Sequence, residues 1–220
     1  GGYFDLALMN TKGDIYSRLK SGEGNLRDFR LLLNDRTIRE NHLIISATDE
    51  NGSSDYYVWD VREEKKLKKV EDVFLEKNAQ KFGIGGSNVL EFNFKYISRQ
   101  TGHGQSPLIK FELFISYKPI AEIIASRPWG IPQYSSGIGG GNLVAFNVKG
   151  VGLMNQETGE IIIPPFFTTV NDYDYISEMA YAEMKIEDQV YRGFVQSTKD
   201  ANYDRTAPFK FVLKNYACGY

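Results

Sequence analysis

The sequence predicts a mainly β fold, all-β or α+β, in which internally repeated antiparallel strands form a sandwich or barrel with about three short helices. Aromatic residues make up 14% of the chain and glycines number 21, which favours strands joined by tight turns. Apolar and polar residues alternate in many segments, and one glycine-rich segment occurs twice. With 220 residues, 42% of them hydrophobic, the chain can bury a core without disulfides or metals.

Alternation of apolar and polar residues places the strands. Residues 3–9 and 14–19 flank a polar turn and predict a first hairpin. Residues 42–47 and 56–61 flank an Asn-Gly pair, which supplies the positive backbone angles of a tight turn, and predict a second hairpin. Trp59 lies within an alternating strand and is expected in the core. Further strands are predicted at 89–97, 108–117, 143–148, 160–163, 179–186, 190–196 and 209–213.

Three segments have helical features. Leucines and a phenylalanine at helical spacing predict a short helix over residues 26–33. Residues 63–78 carry the strongest helical pattern, with apolar residues on one face and an i, i+4 Glu–Lys pair. Pro119 opens and Pro128 closes the third predicted helix.

An internal repeat suggests how the chain is organised. Residues 83–95 and 137–149 are identical at 8 of 13 positions, at a constant spacing of 54 residues. We therefore expect an N-terminal region with a degraded copy (1–82), a first full copy (83–136) and a second (137–220), within one compact domain. The shared Gly-Ile-Gly-Gly lacks the third glycine of a dinucleotide loop and the lysine of a Walker loop, and predicts a tight entry to a strand.

The net charge, the length of the apolar runs and the cysteine count exclude several classes of protein. Twenty-six basic and 28 acidic residues give a net charge of -2, so a nucleic-acid partner is not expected. No apolar run is long enough for a membrane span, and the lone Cys218 forms no internal disulfide. No signal peptide is visible and no compartment is predicted. The sequence contains no specific cofactor or metal motif, so we expect neither; Asp49, Asn51 and Asp55 only partly match a calcium loop.

Three residues are candidate binding residues. Trp129 lies between Pro128 and Pro132, and an exposed Trp on such a stiff loop would anchor a partner surface or a sugar ring; a Trp buried in the core is the alternative. Tyr134 follows closely, and glycines on both sides of His103 predict an exposed imidazole.

One constellation predicts an alternative, enzymatic function. A Mg²⁺-dependent nuclease needs an acid, then a second acid two residues before a lysine on a strand. Asp174, Glu183 and Lys185 have this order. A Glu-x-Lys pair is also common on any solvated strand face, and the net charge does not favour DNA binding.

One stretch, residues 152–199, carries a recognisable motif order. It contains Gly-Leu-Met-Asn at 152–155, then Gly-Glu-Ile-Ile-Ile-Pro-Pro-Phe at 159–166, and Tyr-Arg-Gly-Phe-Val at 191–195. This stretch resembles the bacterial WG-repeat family, although Val151 stands where the family has its tryptophan. The resemblance implies a non-enzymatic module that binds other molecules, with no catalytic residues to transfer.

The sequence therefore predicts a non-enzymatic binding or assembly protein that acts through surface contacts. The expected partner is a protein or a second copy of the chain, with a glycan as an alternative ligand. A second interpretation is a self-assembling structural subunit, such as a capsid, tail or filament protein. A third interpretation is a magnesium-dependent nuclease.

Overall fold

The computed structural model of the chain is mainly β, as the sequence predicts, and its described strands form four antiparallel sheets. The chain divides into two compact units. The first comprises Gly1–Phe74 with Gln156–Thr158, and the second Leu75–Asn155 with Gly159–Tyr220. The division falls within a helix, whereas the sequence places its first boundary after residue 82. The structure describes residues 5–32, 41–63, 66–87, 89–100, 107–117, 146–186, 189–197 and 211–212.

The first unit contains a hairpin and a four-stranded sheet. Its strands are β1 (Leu6–Met9), β2 (Ile15–Leu19), β3 (Arg27–Leu31), β4 (His42–Thr48), β5 (Ser54–Asp60) and β6 (Lys66–Lys69). β1 pairs with β2, and the other four strands pair in chain order. Both predicted hairpins are thus confirmed. At the β4–β5 turn, the Asp49 carboxylate accepts hydrogen bonds from the N–H groups of Asn51 and Ser53, and Gly52 takes a positive φ of 85°.

Trp59 is at the centre of the first unit's core. It lies opposite Leu43 on β4 and Leu67 on β6, and its side chain is fully buried, which confirms the sequence prediction. The buried members of this core are Leu8, Leu19, Phe29, Leu43, Ile45, Ala47, Tyr57 and Trp59.

The helix predicted over residues 26–33 is wrong, because Arg27–Leu31 of this segment form β3, which pairs with β4. Between Arg27 and Arg30 the register slips, and Asp28 takes a positive φ of 54°. This bulge shifts the alternation by one residue, so that Leu26 and Phe29 both reach the core. A three-residue spacing that is typical of a helix is here the result of a bulged strand.

The helix predicted over residues 63–78 is only partly right. The chain first forms β6, whose Leu67 packs against the core opposite Trp59, and the helix α1 runs from Val70 to Phe82. Pairing with β5 therefore overrides the helical pattern in its first part. Glu71 and Asp72 in the first turn of α1 suit the positive end of the helix dipole.

The second unit contains two four-stranded antiparallel sheets. The first runs in the order β10-β9-β8-β7, and the second in the order β11-β12-β13-β14. Their strands are β7 (Val89–Arg99), β8 (Leu108–Tyr117), β9 (Phe146–Asn155), β10 (Ile161–Phe167), β11 (Thr169–Asp174), β12 (Met179–Ile186), β13 (Gln189–Gln196) and β14 (Phe211–Val212). Each strand predicted from residue 89 onwards overlaps a strand of the structure, and β8 and β12 have the predicted bounds. The prediction of 143–148 matches only the start of β9, which continues to Asn155, and β11 was not predicted.

Side chains from both sheets form one core cluster of the second unit. Its buried members are Leu108, Val151, Leu153, Ile162, Ile163, Phe167, Val170, Tyr173, Ala180, Ala182 and Val195. β9 and β10 approach each other closely at Gly152, where an added Cβ would lie 2.6 Å from the carbonyl oxygen of Ile163. Gly152 is therefore needed for this close contact between two backbones.

The internal repeat stays a prediction. In the first copy, Gly83 and Gly85 take positive φ values in the turn between α1 and β7. The matching loop of the second copy, residues 137–145, lies outside the described residues, as does the helix predicted between Pro119 and Pro128. Within the described part of the chain, no helix is long and apolar enough to cross a membrane.

Candidate functional site

The three predicted binding residues, His103, Trp129 and Tyr134, lie outside the described residues, as does Cys218. Their roles as binding residues therefore stay predictions. The other candidate residues lie on the strands and turns that the structure describes.

The structure places two of the three nuclease candidates together. Glu183 and Lys185 are two positions apart on β12 and so share a face. Asp174 ends β11 opposite Met179, which precedes Glu183 by four positions, or about 13 Å along the strand. A single Mg²⁺ needs its ligands within about 2.1 Å, so this spacing does not bring the two acids to one ion.

The two acids also have other partners. Asp174 accepts hydrogen bonds from the hydroxyl of Ser177 at 2.7 Å and from the N–H of Ile176 at 3.0 Å, and these bonds lower the pKa of Asp174. Glu183 Oε1 lies 2.9 Å from Arg192 Nε and accepts a hydrogen bond from the Tyr181 hydroxyl at 3.1 Å. These contacts stabilise a turn and a cross-strand pair.

The partial calcium loop has a structural role too. Asp49 closes the β4–β5 turn, and Asp55 forms an ion pair with Lys69 at 2.7 Å. Across the described ranges, no group of three or more His, Cys, Asp or Glu side chains could hold a metal ion.

The structure reveals a charged cluster in the first unit that the sequence analysis missed. His42 Nε2 lies 3.3 Å from Asp60 Oδ2, and His42 Nδ1 lies 2.9 Å from Glu157 Oε1. The Nδ1 contact has ion-pair distance but not the alignment of a hydrogen bond. Arg62 donates two hydrogen bonds to Asp60, both 3.2 Å, which lower the pKa of Asp60.

This cluster connects distant parts of the sequence. His42 begins β4 and Asp60 ends β5, so the two residues pair across the sheet. Gln156, next to Glu157, donates a hydrogen bond to the His42 carbonyl at 3.2 Å. Both imidazole nitrogens of His42 face carboxylates. The arrangement holds the start of β4 in place.

The outer face of β12 and β13 carries a mixed aromatic and charged surface. Tyr181 lies opposite Phe194, with ring centroids 6.0 Å apart in an edge arrangement, and Glu183 lies opposite Arg192. Burial and the nearby Glu183 carboxylate raise the pKa of Tyr181. The side chains of each pair contact each other across the two strands and stabilise the sheet.

The strand β7 is the more unusual feature. It has 11 residues, and within the described residues it pairs with β8 on one side while no strand pairs with its other side. We call that other side the open edge. Such an edge presents a row of backbone N–H and C=O groups on which another chain can pair.

Two β-bulges interrupt β7. The register with β8 slips by one residue between Val89 and Glu91, and again between Tyr96 and Ser98. The extra residues are Leu90 and Ile97, whose side chains are 58% and 41% exposed. Bulges at sheet edges limit the length over which a second strand can pair.

Between the bulges, residues 91–96 form a regular alternating stretch. Glu91, Asn93 and Lys95 are exposed on one face, and Phe92, Phe94 and Tyr96 are half-buried on the other. Phe94 stacks on Phe111 of β8, with ring centroids 5.4 Å apart and planes at 16°. The stretch therefore combines a supported aromatic face with a face of mixed charge.

Alternation along residues 89–97 predicts a half-buried strand, but no local pattern marks this strand as the edge of a sheet. Comparison with known proteins found no family model, curated protein or solved structure that matches this chain.

Proposed function

We propose that this protein binds other protein chains by strand addition at the open edge of β7, and that it does not act by catalysis. The observation that carries the proposal is the regular stretch 91–96, which lies on an edge that no other described strand covers. Strand addition gives affinity through main-chain hydrogen bonds and specificity through alternate side chains.

The side chains of β7 support this mode of binding. An added strand would place its residues beside the half-buried Phe92, Phe94 and Tyr96 on one face. On the other face it would meet Glu91 and Lys95, which favour partners with complementary charges. The aromatic face offers contact area, and the charged face selects the register.

Three of the described acids and His42 support a non-catalytic role. Glu183, Asp174 and Asp60 are each held by hydrogen bonds or an ion pair, and His42 lies between two carboxylates. The resemblance of residues 152–199 to the WG-repeat family, itself a prediction, implies the same kind of binding module.

A peptide selection tests the proposal. A displayed library of random 12-residue peptides would be selected on the immobilised protein, and a selected peptide titrated while amide chemical shifts are followed by NMR. We expect peptides with alternating apolar residues, and we expect the largest shifts in β7. No selected peptide, or shifts concentrated elsewhere, would contradict the proposal.

A matched pair of variants gives the control. Leu90→Lys puts the charge that natural edges use against pairing at one end of the regular stretch, and it replaces a side chain that is already exposed. Val190→Lys makes the same kind of change at an exposed position of β13. Peptide affinity should fall for the first variant and stay unchanged for the second.

A further inference from the structure

We infer that the chain which β7 takes up is a second copy of this protein, with two β7 strands paired antiparallel about a two-fold axis that passes between the two Asn93 residues. The inference rests on the proposed function, because it names the partner at the same open edge. Two four-stranded sheets would become one continuous sheet across the axis. Such a contact is isologous, since the same patch serves both copies.

The charges on β7 carry the choice of partner and register. With the axis at Asn93, Glu91 of each copy lies opposite Lys95 of the other, and the two Asn93 side chains face each other. Two opposite-charge pairs thus flank a pair of amides on the exposed face. Opposite charges directly across a strand pair stabilise it, and like charges destabilise it.

The other face of the same register is complementary as well. Phe92 of each copy lies opposite Phe94 of the other. Phe94 already stacks on Phe111, so the ring row on this face would continue from one copy into the next. Aromatic pairs across strands are among the more stabilising cross-strand contacts.

Other two-fold registers lose this match. A two-fold axis perpendicular to the sheet lies between the two strands, level with one residue of each strand. Only then do the side chains of opposed residues lie on the same face of the sheet. An axis at Lys95 puts the two lysines opposite each other, and an axis at Glu91 does the same for the glutamates. An axis at Phe94 puts Glu91 opposite Ile97 and Asn93 opposite Lys95, with no ion pair. The five-residue ladder 91–95 also fits between the bulges at Leu90 and Ile97.

Reciprocal charge reversal tests the inference with the full chain. Glu91→Lys gives a copy with two lysines on this face, and Lys95→Glu gives a copy with two glutamates. Sedimentation velocity over a concentration series should show dimers for the unaltered protein. Each variant alone should associate at least about tenfold more weakly, because both opposed pairs become repulsive. An equimolar mixture should regain the dimer, because every opposed pair is then a lysine and a glutamate.

Two controls keep this experiment interpretable. Glu50→Lys and Lys12→Glu make the same charge changes at exposed turn positions of the first unit, and they should leave the dimer unchanged. Circular dichroism melts of the two β7 variants should match the unaltered protein, since Glu91 and Lys95 are exposed. A variant that fails to fold would be recognised there, and association would then be measured separately for Glu91→Gln and for Lys95→Gln. Both should weaken the dimer.

A disulfide scan tests the register independently. In a Cys218→Ser background, Asn93→Cys puts two thiols directly across the axis, where Cβ atoms of opposed residues are close enough for a disulfide. Glu91→Cys puts the two thiols four positions apart along the strands, about 13 Å, which is too far. Mild oxidation should link the first variant and leave the second unlinked.

The outcomes separate this inference from the proposed function. A chain that stays monomeric at every concentration while selected peptides bind β7 would overturn the inference and leave strand addition standing. Dimers that tolerate both charge reversals, or that cross-link equally well through Glu91→Cys, would overturn the register. A mixture of the two reversed variants that stays monomeric would overturn the self-complementarity on which the inference depends.

Discussion

The two edges of one sheet differ in almost every respect. At one edge, β10 has the sequence Ile-Ile-Ile-Pro-Pro-Phe-Phe and is buried along nearly its whole length. At the other, β7 carries no proline and alternates charged or amide side chains with aromatic ones. Both strands border the same β8–β9 centre, so the difference does not come from the sheet itself.

The β10 edge is closed by its own chemistry. Pro164 and Pro165 lack backbone N–H groups and cannot donate to a further strand. The segment that contains these prolines lies so close to β9 that there is no space for a side chain at position 152. Ile162, Ile163 and Phe167 of β10 lie in one core cluster with residues from the second sheet of the unit.

The β7 edge is limited in length, but no strand among the described residues closes it. Its bulges at Leu90 and Ile97 confine pairing to the short stretch between them. Within that stretch the alternation is regular, and the order of Glu91, Asn93 and Lys95 fits the two-fold register proposed above. Prolines and close packing thus exclude a further strand at the β10 edge, whereas bulges only limit the length over which one can pair at the β7 edge.

The largest expected effect comes from a substitution at the closed edge, where β9 and β10 are in close contact. Gly152→Ala would place a Cβ 2.6 Å from the Ile163 carbonyl oxygen and 3.0 Å from the Pro165 nitrogen, so two backbones must move apart. We expect a loss of about 3 kcal/mol or more in the free energy of unfolding, measured by chemical denaturation.

Gly13→Ala is the control for that change. Gly13 has a positive φ of 91° but no atom within 4 Å of an added Cβ, so its loss should be about 1 kcal/mol. Equal losses for the two variants would show that the close contact of β9 with β10 is not what stabilises this edge.

A smaller effect tests whether global stability alone controls the β7 contact. Asp60→Asn weakens the cluster with His42, Arg62 and Glu157 in the first unit, and should cost about 1–3 kcal/mol near neutral pH. Hydrogen bonds from Arg62 lower the pKa of Asp60 below its ordinary 3.8 in the folded state. Its contribution to stability is therefore complete above pH 3.8 and is lost as the pH falls through the folded-state pKa.

The measurement is denaturation from pH 7 downwards, followed by Trp59 fluorescence in a Trp129→Phe background. The two proteins should converge in stability only below about pH 4. Dimerisation at neutral pH should be equal for both, because β7 is unchanged. A variant that is destabilised and also monomeric would tie association to overall stability and weaken the comparison of edges.

The smallest expected effect concerns the prolines of β10. Pro164→Ala restores a backbone N–H and lets the unfolded chain explore more conformations, which should cost about 0.4–1 kcal/mol. Because β10 is buried as well as proline-containing, no new association should appear in sedimentation. New oligomers would show that the prolines, rather than the packing, keep this edge closed.

The sequence predicted much of the fold because alternation is a local property. β8 and β12 have the predicted bounds, and both early hairpins follow from their turn residues. β3 was missed because the bulge at Asp28 turns a period of two into a spacing of three. β6 was missed because pairing with β5, rather than local preference, decides the conformation around Leu67.

The candidate site was less accessible to sequence reasoning. Alternation marked β7 as a strand, but which strand ends a sheet depends on pairings between distant segments. The contact of His42 with Glu157 likewise joins residues that no local pattern connects. The self-complementary order of Glu91, Asn93 and Lys95 was present in the sequence, and it becomes informative once the edge is known.

The most direct test of the central claim is amide hydrogen exchange of β7 and β10 at low and high protein concentration. In the dilute protein, the N–H groups of residues 91–95 that point away from β8 should exchange quickly, while those of β10 are protected. At high concentration the β7 groups should become protected and β10 should not change. Protection of β7 that is already complete in the dilute monomer, or that never rises with concentration, would contradict the account.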